Sequence, residues 1–116
     1  MTEKAIRIVI FTGKRDDWRQ WSKKFLAVAE RREYLIILKT DKEELEVIGD
    51  DRKKKNSAAY NDLLLAMTDD VSFGLIDEAS STDYPEGDAR VAWSKLMQRF
   101  ESQTNALEGQ AHGTIQ

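Results

Sequence analysis

The chain has 116 residues, no cysteine, 34% charged residues and a formal net charge of −3. The absence of cysteine excludes disulfides and a cysteine-based zinc site, and the slight negative charge argues against a whole-chain electrostatic clamp for DNA or RNA. No apolar run approaches the roughly 20 residues of a membrane-spanning helix, so we expect no membrane partner. The length fits one domain, and the N-terminus shows no secretory-signal pattern, which favours a cytoplasmic location.

Residues 5–11 are the first predicted element and have a β-branched, partly alternating pattern. Ile6, Ile8 and Ile10 would share one face if this segment were a strand. Because a single strand cannot stabilise itself, these residues either form a core strand within the chain or bind a partner peptide by strand addition. Gly13 then breaks the pattern before the first helix.

Residues 16–32 carry the strongest helical pattern of the sequence. Trp18, Trp21, Phe25 and Val28 recur at helical spacing and form one apolar stripe. Acidic residues open the segment and basic residues close it, as the helix dipole favours. Two indoles and a phenyl ring on one stripe predict the centre of a small helical core rather than a ligand site.

An apolar run at residues 34–38 follows, and it fits either a buried helical turn or a short extended segment. Capping-box spacing that begins at Thr40 allows a short helix through Val47, which Gly49 would end. Residues 41–51 are also strongly acidic, so a surface excursion is an alternative interpretation.

A basic run follows the acidic residues directly and is a candidate phosphate-contacting patch. It consists of Arg52, Lys53, Lys54 and Lys55. Positive charge is unfavourable at a helix N-terminus, so we expect a frayed or solvated first turn here. A solvated charge run flanked by acids is the simpler interpretation, whereas phosphate binding would make affinity fall steeply with salt.

Two helical patterns fill the middle of the chain. The first is a stripe formed by Tyr60, Leu63, Leu64 and Met67. Asp69 and Asp70 then offer N-cap chemistry for a shorter helix over residues 71–79. Gly74 lies inside that helix and costs about 1 kcal/mol relative to Ala unless close packing compensates.

The clearest stripe after the first lies near the C-terminus. Pro85 suits the first turn of a helix, and Asp83 and Glu86 have N-cap and N3 spacing around it. The apolar residues of this predicted helix are Ala89, Ala92, Trp93, Leu96, Met97 and Phe100. We expect this stripe to pack against the aromatic stripe of the first helix.

No set of residues in the sequence forms a recognisable catalytic or metal site. His112, the one histidine, stands in a polar tail without the rigid surroundings that a catalytic triad or a metal pair needs. The acidic pairs at residues 50–51 and 69–70 lack the spacing of a calcium loop, and residues 13–14 lack the upstream glycine of a P-loop. We therefore expect no enzymatic activity, no cofactor and no bound metal.

Several weak motifs follow one another in a defined order. A Phe-x-Gly motif precedes the aromatic first helix, residues 58–76 form two helices broken by an Asp-containing link, and Ala-Trp-x-x-Leu precedes a further aromatic residue. The signature positions are Phe11, Gly13, Trp18, Trp21, Phe25, Trp93, Leu96 and Phe100. This series resembles the Gag polyprotein of copia-type LTR retrotransposons over about residues 6–105.

The resemblance implies a mainly α fold, a compact bundle of four to five helices preceded by a short N-terminal β segment, like a retroviral capsid N-terminal domain. Residues 1–104 would form this domain, and residues 105–116 a tail or the start of a linker or further helix. The acidic and basic residues of segment 41–55 have no counterpart in the family's pattern.

The function that the resemblance implies is structural and non-enzymatic. The domain would self-associate, weakly in isolation, into a cytoplasmic virus-like particle shell that encloses retrotransposon RNA. Contact with RNA would be indirect or made by parts of the polyprotein outside this chain.

Two other functions are consistent with the residues. A domesticated relative, or an unrelated helical domain, would bind a peptide or protein through residues 6–10. A nucleic-acid-binding module would use residues 52–55, and its affinity would depend strongly on salt.

Overall fold

The computed structural model describes residues 8–39 and 51–102. Within these ranges the chain forms five α-helices, α1 Arg15–Arg31, α2 Leu35–Lys39, α3 Asp51–Ala66, α4 Asp70–Asp77 and α5 Ala89–Leu96. A π-helical segment, Met97–Ser102, follows α5 directly. The prediction of a mainly α bundle is confirmed for these ranges, whereas the predicted helix over residues 40–47 and the tail 105–116 lie outside them.

The predicted N-terminal β segment is reduced, in the part that the structure describes, to one parallel bridge between Phe11 and Met67. Phe11 N donates to Ala66 O at 2.8 Å, and Thr68 Oγ1 donates to Phe11 O at 2.8 Å. Residues 8–10 have no regular secondary structure. Phe11 pairs with the segment between α3 and α4. This segment is short, so it offers little backbone with which a longer N-terminal strand could pair. The earlier part of the predicted strand lies outside the described ranges.

Helix α1 forms where its charges and apolar spacing predict it. Asp16 and Asp17 lie in the first turn and Arg31 in the last turn, so the charges complement the helix dipole. Its buried residues are Trp18, Trp21, Ser22, Phe25, Val28 and Ala29. These positions lie on one face, as expected for an amphipathic helix that packs on a core.

The end of α1 is a Schellman motif that directs Tyr34 into the core. Tyr34 N donates to Ala29 O at 3.0 Å, and Glu33 N donates to the carbonyl oxygen of Glu30 at 3.1 Å. Glu33 adopts the left-handed φ of 67° that this motif requires, without being glycine. Tyr34 is fully buried, and the apolar run after it continues as helix α2 rather than as an extended segment.

The aromatic stripe of α1 packs against α5 and the π-helical segment. The ring of Trp18 lies 5.5 Å from Trp93 and 5.5 Å from Phe100, measured between centroids. Phe25 lies 5.7 Å from Trp93, and Phe11 meets Phe100 edge-on at 5.0 Å. Ring pairs at these separations contribute stability beyond the area they bury. One aromatic cluster therefore joins the N-terminal segment to the last helical elements.

Helix α5 begins at Ala89, so the start predicted near Pro85 is wrong. The N-cap is Asp88 rather than Asp83, and its carboxylate accepts from Val91 N at 3.1 Å. Residues before the cap form a turn instead of the first helical turn. The capping-box spacing around the proline therefore indicated a helix start that the chain does not use.

A constrained turn at Gly87 explains the later start. Gly87 has a φ of 150°, and a Cβ built there would lie 2.5 Å from the Tyr60 ring. The side chain of Asn56 donates to Gly87 O at 2.9 Å and accepts from Ala89 N at 2.8 Å. These buried bonds join residues 31 and 33 positions apart, so no local pattern predicts them.

Helix α4 provides a first testable prediction, because Gly74 has no compensating contact. Asp69 caps the helix as predicted, and its carboxylate accepts from Ser72 N at 3.0 Å. A Cβ at Gly74 would meet nothing within 4 Å. We expect Gly74→Ala to raise the free energy of unfolding by about 0.5–1 kcal/mol, measured by urea denaturation. Gly87→Ala is the matched control and should lower it, and a neutral or destabilising Gly74→Ala would contradict the open space seen here.

Candidate functional site

The signature residues of the sequence converge on one place in the fold. The buried core includes Phe11, Trp18, Trp21, Phe25, Trp93, Leu96 and Phe100. Gly13 lies beside them with a φ of 85°, and a Cβ there would collide with the carboxylate of Asp69. The glycine of the Phe-x-Gly motif is thus explained by the approach of the α4 cap to the backbone. These residues are buried and pack against one another at the centre of the core.

The candidate partner-binding strand is divided between core and solvent. Ile6 lies outside the described ranges, Ile8 packs partly buried against the core, and Ile10 is 51% exposed. The carbonyl oxygen of Val9 accepts a hydrogen bond from Trp21 Nε1 at 2.7 Å. A pocket of about 160 Å³ lies beside this segment, and Val9, Ile10, Thr12, Asp17, Gln20, Trp21 and Lys24 line it.

The basic run forms the first turns of α3, so of the two expected forms, a frayed or a solvated first turn, the helical turn with exposed Lys53 and Lys54 corresponds to the solvated one. Arg52 places its guanidinium 5.3 Å from the Tyr84 ring centroid and 3.6 Å from a carboxylate oxygen of Asp83. Lys55 Nζ donates to Glu33 O at 2.5 Å. These contacts hold the N-terminus of α3 against the rest of the bundle and offset the unfavourable dipole term.

The four basic residues therefore do not present one continuous cationic surface. Lys53 and Lys54 are exposed, whereas Arg52 and Lys55 are partly buried in contacts within the chain. The side chain of Arg52 is only 15% exposed. Two exposed lysines remain at this place as candidate phosphate contacts.

A small pocket of about 140 Å³ lies next to the Arg52 guanidinium. Its polar walls come from Asn56 and from the loop before α5, where Ser81 Oγ donates to Asp88 Oδ2 at 2.7 Å. Burial raises the pKa of the Tyr84 hydroxyl, and the nearby Arg52 charge opposes that rise. Arg52 Nε is buried without a hydrogen-bond partner among the described residues. Most other polar atoms of this loop form hydrogen bonds within the chain, so the pocket is a place where α3 and the loop before α5 are joined.

A larger groove of about 610 Å³ runs between α3 and the turn that precedes α5. Tyr60, Leu64 and Pro85 supply apolar and aromatic walls, and Asp77 and Glu86 supply exposed carboxylates. Sequence reasoning missed this groove because its two walls come from distant segments. A signal was present, since residues 69–88 contain seven acidic residues and no lysine, arginine or histidine.

A buried polar triad links α1, α2 and α3. Tyr34 Oη donates to Asp62 Oδ2 at 2.7 Å, and Arg32 Nε lies 2.6 Å from the same oxygen. The Asp62 side chain is 8% exposed and that of Arg32 is 35% exposed. A buried carboxylate is tolerated when a charge and a hydrogen bond both satisfy it, as here. The triad is a structural clamp, because its groups face one another rather than a cavity.

The triad predicts a loss of stability at high pH. Burial raises the pKa of Tyr34 well above its usual value, and the hydrogen bond and negative charge of Asp62 raise it further. Above pH ~10 the unfolded chain loses this proton while the folded chain keeps it, so stability falls by about 1.4 kcal/mol per pH unit for this group. Below that pH Tyr34 is protonated in both the folded and the unfolded chain, so its contribution to stability does not change with pH. Burial raises the pKa of Tyr60 and Tyr84 as well, so they act in the same direction.

Urea denaturation at several pH values between about 9 and 11 checks this pH dependence. Tyr34→Phe removes the titrating group but retains the ring, so its stability should decline less steeply than that of the parent. Equal slopes for the parent and Tyr34→Phe would show that Tyr34 does not carry the effect.

The described residues contain no group of three or more His, Cys, Asp or Glu side chains that could hold a metal ion. His112 and Asp50 lie outside the described ranges. Over residues 8–39 and 51–102, no helix is long and apolar enough to cross a membrane.

The fold and these surfaces define a small, mainly α domain with an aromatic core and an open groove. Comparisons with models of known protein families, with curated proteins and with solved structures each found no match to this chain. A functional interpretation therefore rests on the motifs of the sequence and on the geometry of the fold.

Proposed function

We propose that this chain is a non-enzymatic structural module, a Gag-like capsid N-terminal domain that self-associates into a cytoplasmic virus-like particle shell around retrotransposon RNA. One observation carries the proposal. The signature residues at positions 11–25 and 93–100, far apart in the sequence, meet in one aromatic cluster. A series of motifs that specifies one shared core is what a common domain architecture requires.

Assembly through weak contacts agrees with the surface of the domain. Large apolar side chains are exposed on the N-terminal segment and on α2, α3 and α4; they are Ile10, Ile36, Leu65, Val71 and Phe73. Many weak contacts produce strong association only when several are made at once, as in a lattice. The isolated domain is then monomeric or weakly dimeric, and RNA is enclosed by the shell or bound by other parts of the polyprotein.

Electron microscopy of the full reading frame that contains this chain tests the proposal. The expected result is closed particles of uniform size, together with weak, concentration-dependent association of the isolated chain in sedimentation experiments. Trp21→Ala, which removes part of the core, is the control and should abolish regular particles. Uniformly monomeric material across salt and protein concentration would contradict the proposal.

A second candidate function is peptide binding by strand addition at residues 6–10. The observation that favours it is Ile10, which is 51% exposed beside a pocket that Trp21 also lines. Binding of an extended peptide there should change the tryptophan fluorescence, and Ile10→Asp should abolish that change. Ile36→Asp is the matched control on another exposed apolar residue, and fluorescence unaffected by any extended peptide would eliminate this candidate.

A further inference from the structure

The charges of this chain are strongly segregated although the net charge is only −3. Residues 14–32 contain seven lysine and arginine residues against three acidic residues, and residues 69–88 contain seven acidic residues with no basic one. Helix α1 packs against α2, α5 and the π-helical segment, whereas α4 packs against α3 and α5. The basic residues of the first segment lie mainly on α1, and the acidic residues of the second lie on α4 and on the turn before α5.

The exposed face of α1 is a basic, convex surface. Arg19, Lys23, Lys24 and Arg31 are all exposed on this helix. None of the four forms an ion pair with another residue of the described ranges. The opposite face of the helix is the buried aromatic stripe, so these side chains point away from the core. The result is a helix that presents several positive charges, unpaired among the described residues, to its surroundings.

The groove between α3 and the turn before α5 carries mainly negative charge, opposite to that of the α1 face. Its volume is about 610 Å³, and its charged lining consists of the exposed carboxylates of Asp77, Asp83 and Glu86 and of one basic residue, Lys53. The largely buried Tyr60 and the half-buried Tyr84 also line the groove. Aliphatic stems of lysine pack on such rings while the ammonium group meets the carboxylates. The exposed basic side of a helix laid into this groove would meet a surface of mainly opposite charge.

We propose that the basic face of α1 in one copy docks into this groove of a second copy of the same chain. This rests on the proposed function of self-association and names the surfaces that carry it. Because the two surfaces differ, the contact is head-to-tail, and a pair of copies keeps one free face and one free groove for the next copies. Such a contact extends into rings or arrays instead of ending at a dimer, as a shell requires.

Charge reversal on either surface tests this contact. Lys23→Glu with Lys24→Glu replaces positive by negative charge on the α1 face. Asp77→Lys with Glu86→Lys replaces negative by positive charge in the groove. Each double variant should weaken self-association at low salt by about tenfold or more, because like charges then oppose each other. Mixing the two variants should restore association, since each variant again meets an oppositely charged surface on the other. Lys39→Glu with Lys54→Glu is the control, because these exposed lysines lie outside both surfaces.

The measurements are sedimentation velocity at several salt concentrations and electron microscopy of the reading frame that carries the same changes. Circular dichroism first establishes that each variant is folded. Association that is unaffected by both double variants, or not restored in the mixture, overturns the docking proposal. Particles that persist in both variants overturn it while leaving the capsid function intact, whereas absence of particles in the parent overturns the function itself. A different outcome is that the parent binds a short RNA in a salt-dependent way, and that the α1 variant loses this binding while its self-association is unchanged. That result would overturn the docking proposal and indicate that the basic face binds nucleic acid.

Discussion

Trp21→Ala is expected to lower the free energy of unfolding by about 3–5 kcal/mol, which is enough to unfold a marginal domain. Trp21 is 3% exposed, and its ring contacts Phe11 at 4.9 Å and Phe25 at 5.1 Å between centroids. Its indole Nε1 donates to Val9 O at 2.7 Å and fixes the N-terminal segment on α1. Truncation would open a cavity at the centre of the aromatic cluster and also release this segment.

Urea denaturation followed by far-UV circular dichroism measures the effect, with two variants as comparisons. Trp21→Phe retains an aromatic ring but removes the indole donor, so we expect a smaller loss of about 1–2 kcal/mol. Phe73→Ala removes an aromatic side chain that is 44% exposed and should cost less than about 1 kcal/mol. A Trp21→Ala protein as stable as the parent would mean that the cluster is not the core of the fold.

The parts of the fold that were predictable depend on local signals. The stripe of Trp18, Trp21 and Phe25 defines a buried helix face because helical spacing alone brings these residues together. The cap at Asp69 was predictable for the same reason, since it bonds a backbone group three residues away. Exposed and buried positions on α1 follow from the same periodicity. Local pattern therefore predicts the elements and their inner faces.

The parts that were missed depend on contacts between distant residues. The start of α5 shifts to Ala89 because Asn56, far away on α3, bonds both sides of the Gly87 turn. Arg52 becomes part of the first turn of α3 because its guanidinium packs on the Tyr84 ring and pairs with the carboxylate of Asp83.

The same limit applies to the candidate site. The basic residues of α1 were visible in the sequence, but the groove that complements them was not. Its walls come from α3 and from the turn before α5, which only the folded chain brings together. The acidic composition of residues 69–88 was the available signal, and it indicates charge without indicating a concave shape.

Asp62→Ala is expected to lower the free energy of unfolding by about 3 kcal/mol, because it removes the acceptor that two groups share. Tyr34 Oη and Arg32 Nε both meet Asp62 Oδ2, at 2.7 Å and 2.6 Å. Truncation leaves the fully buried tyrosine hydroxyl without its partner. Arg32 is partly solvated, so water screens its lost ion pair and keeps the cost below that of a completely buried charge pair.

A double-mutant cycle with Tyr34→Phe separates the hydroxyl bond from the ion pair. Tyr34→Phe alone should cost about 1 kcal/mol, since one hydrogen bond is lost while Arg32 still partners the carboxylate. In the Asp62→Ala background the same change removes an unsatisfied hydroxyl, so it should be neutral or stabilising. The coupling energy between the two positions is then about 1 kcal/mol or more. Additive effects would mean that Tyr34 and Asp62 do not share a hydrogen bond, and that the cost of Asp62→Ala comes from the lost Arg32 ion pair and from packing.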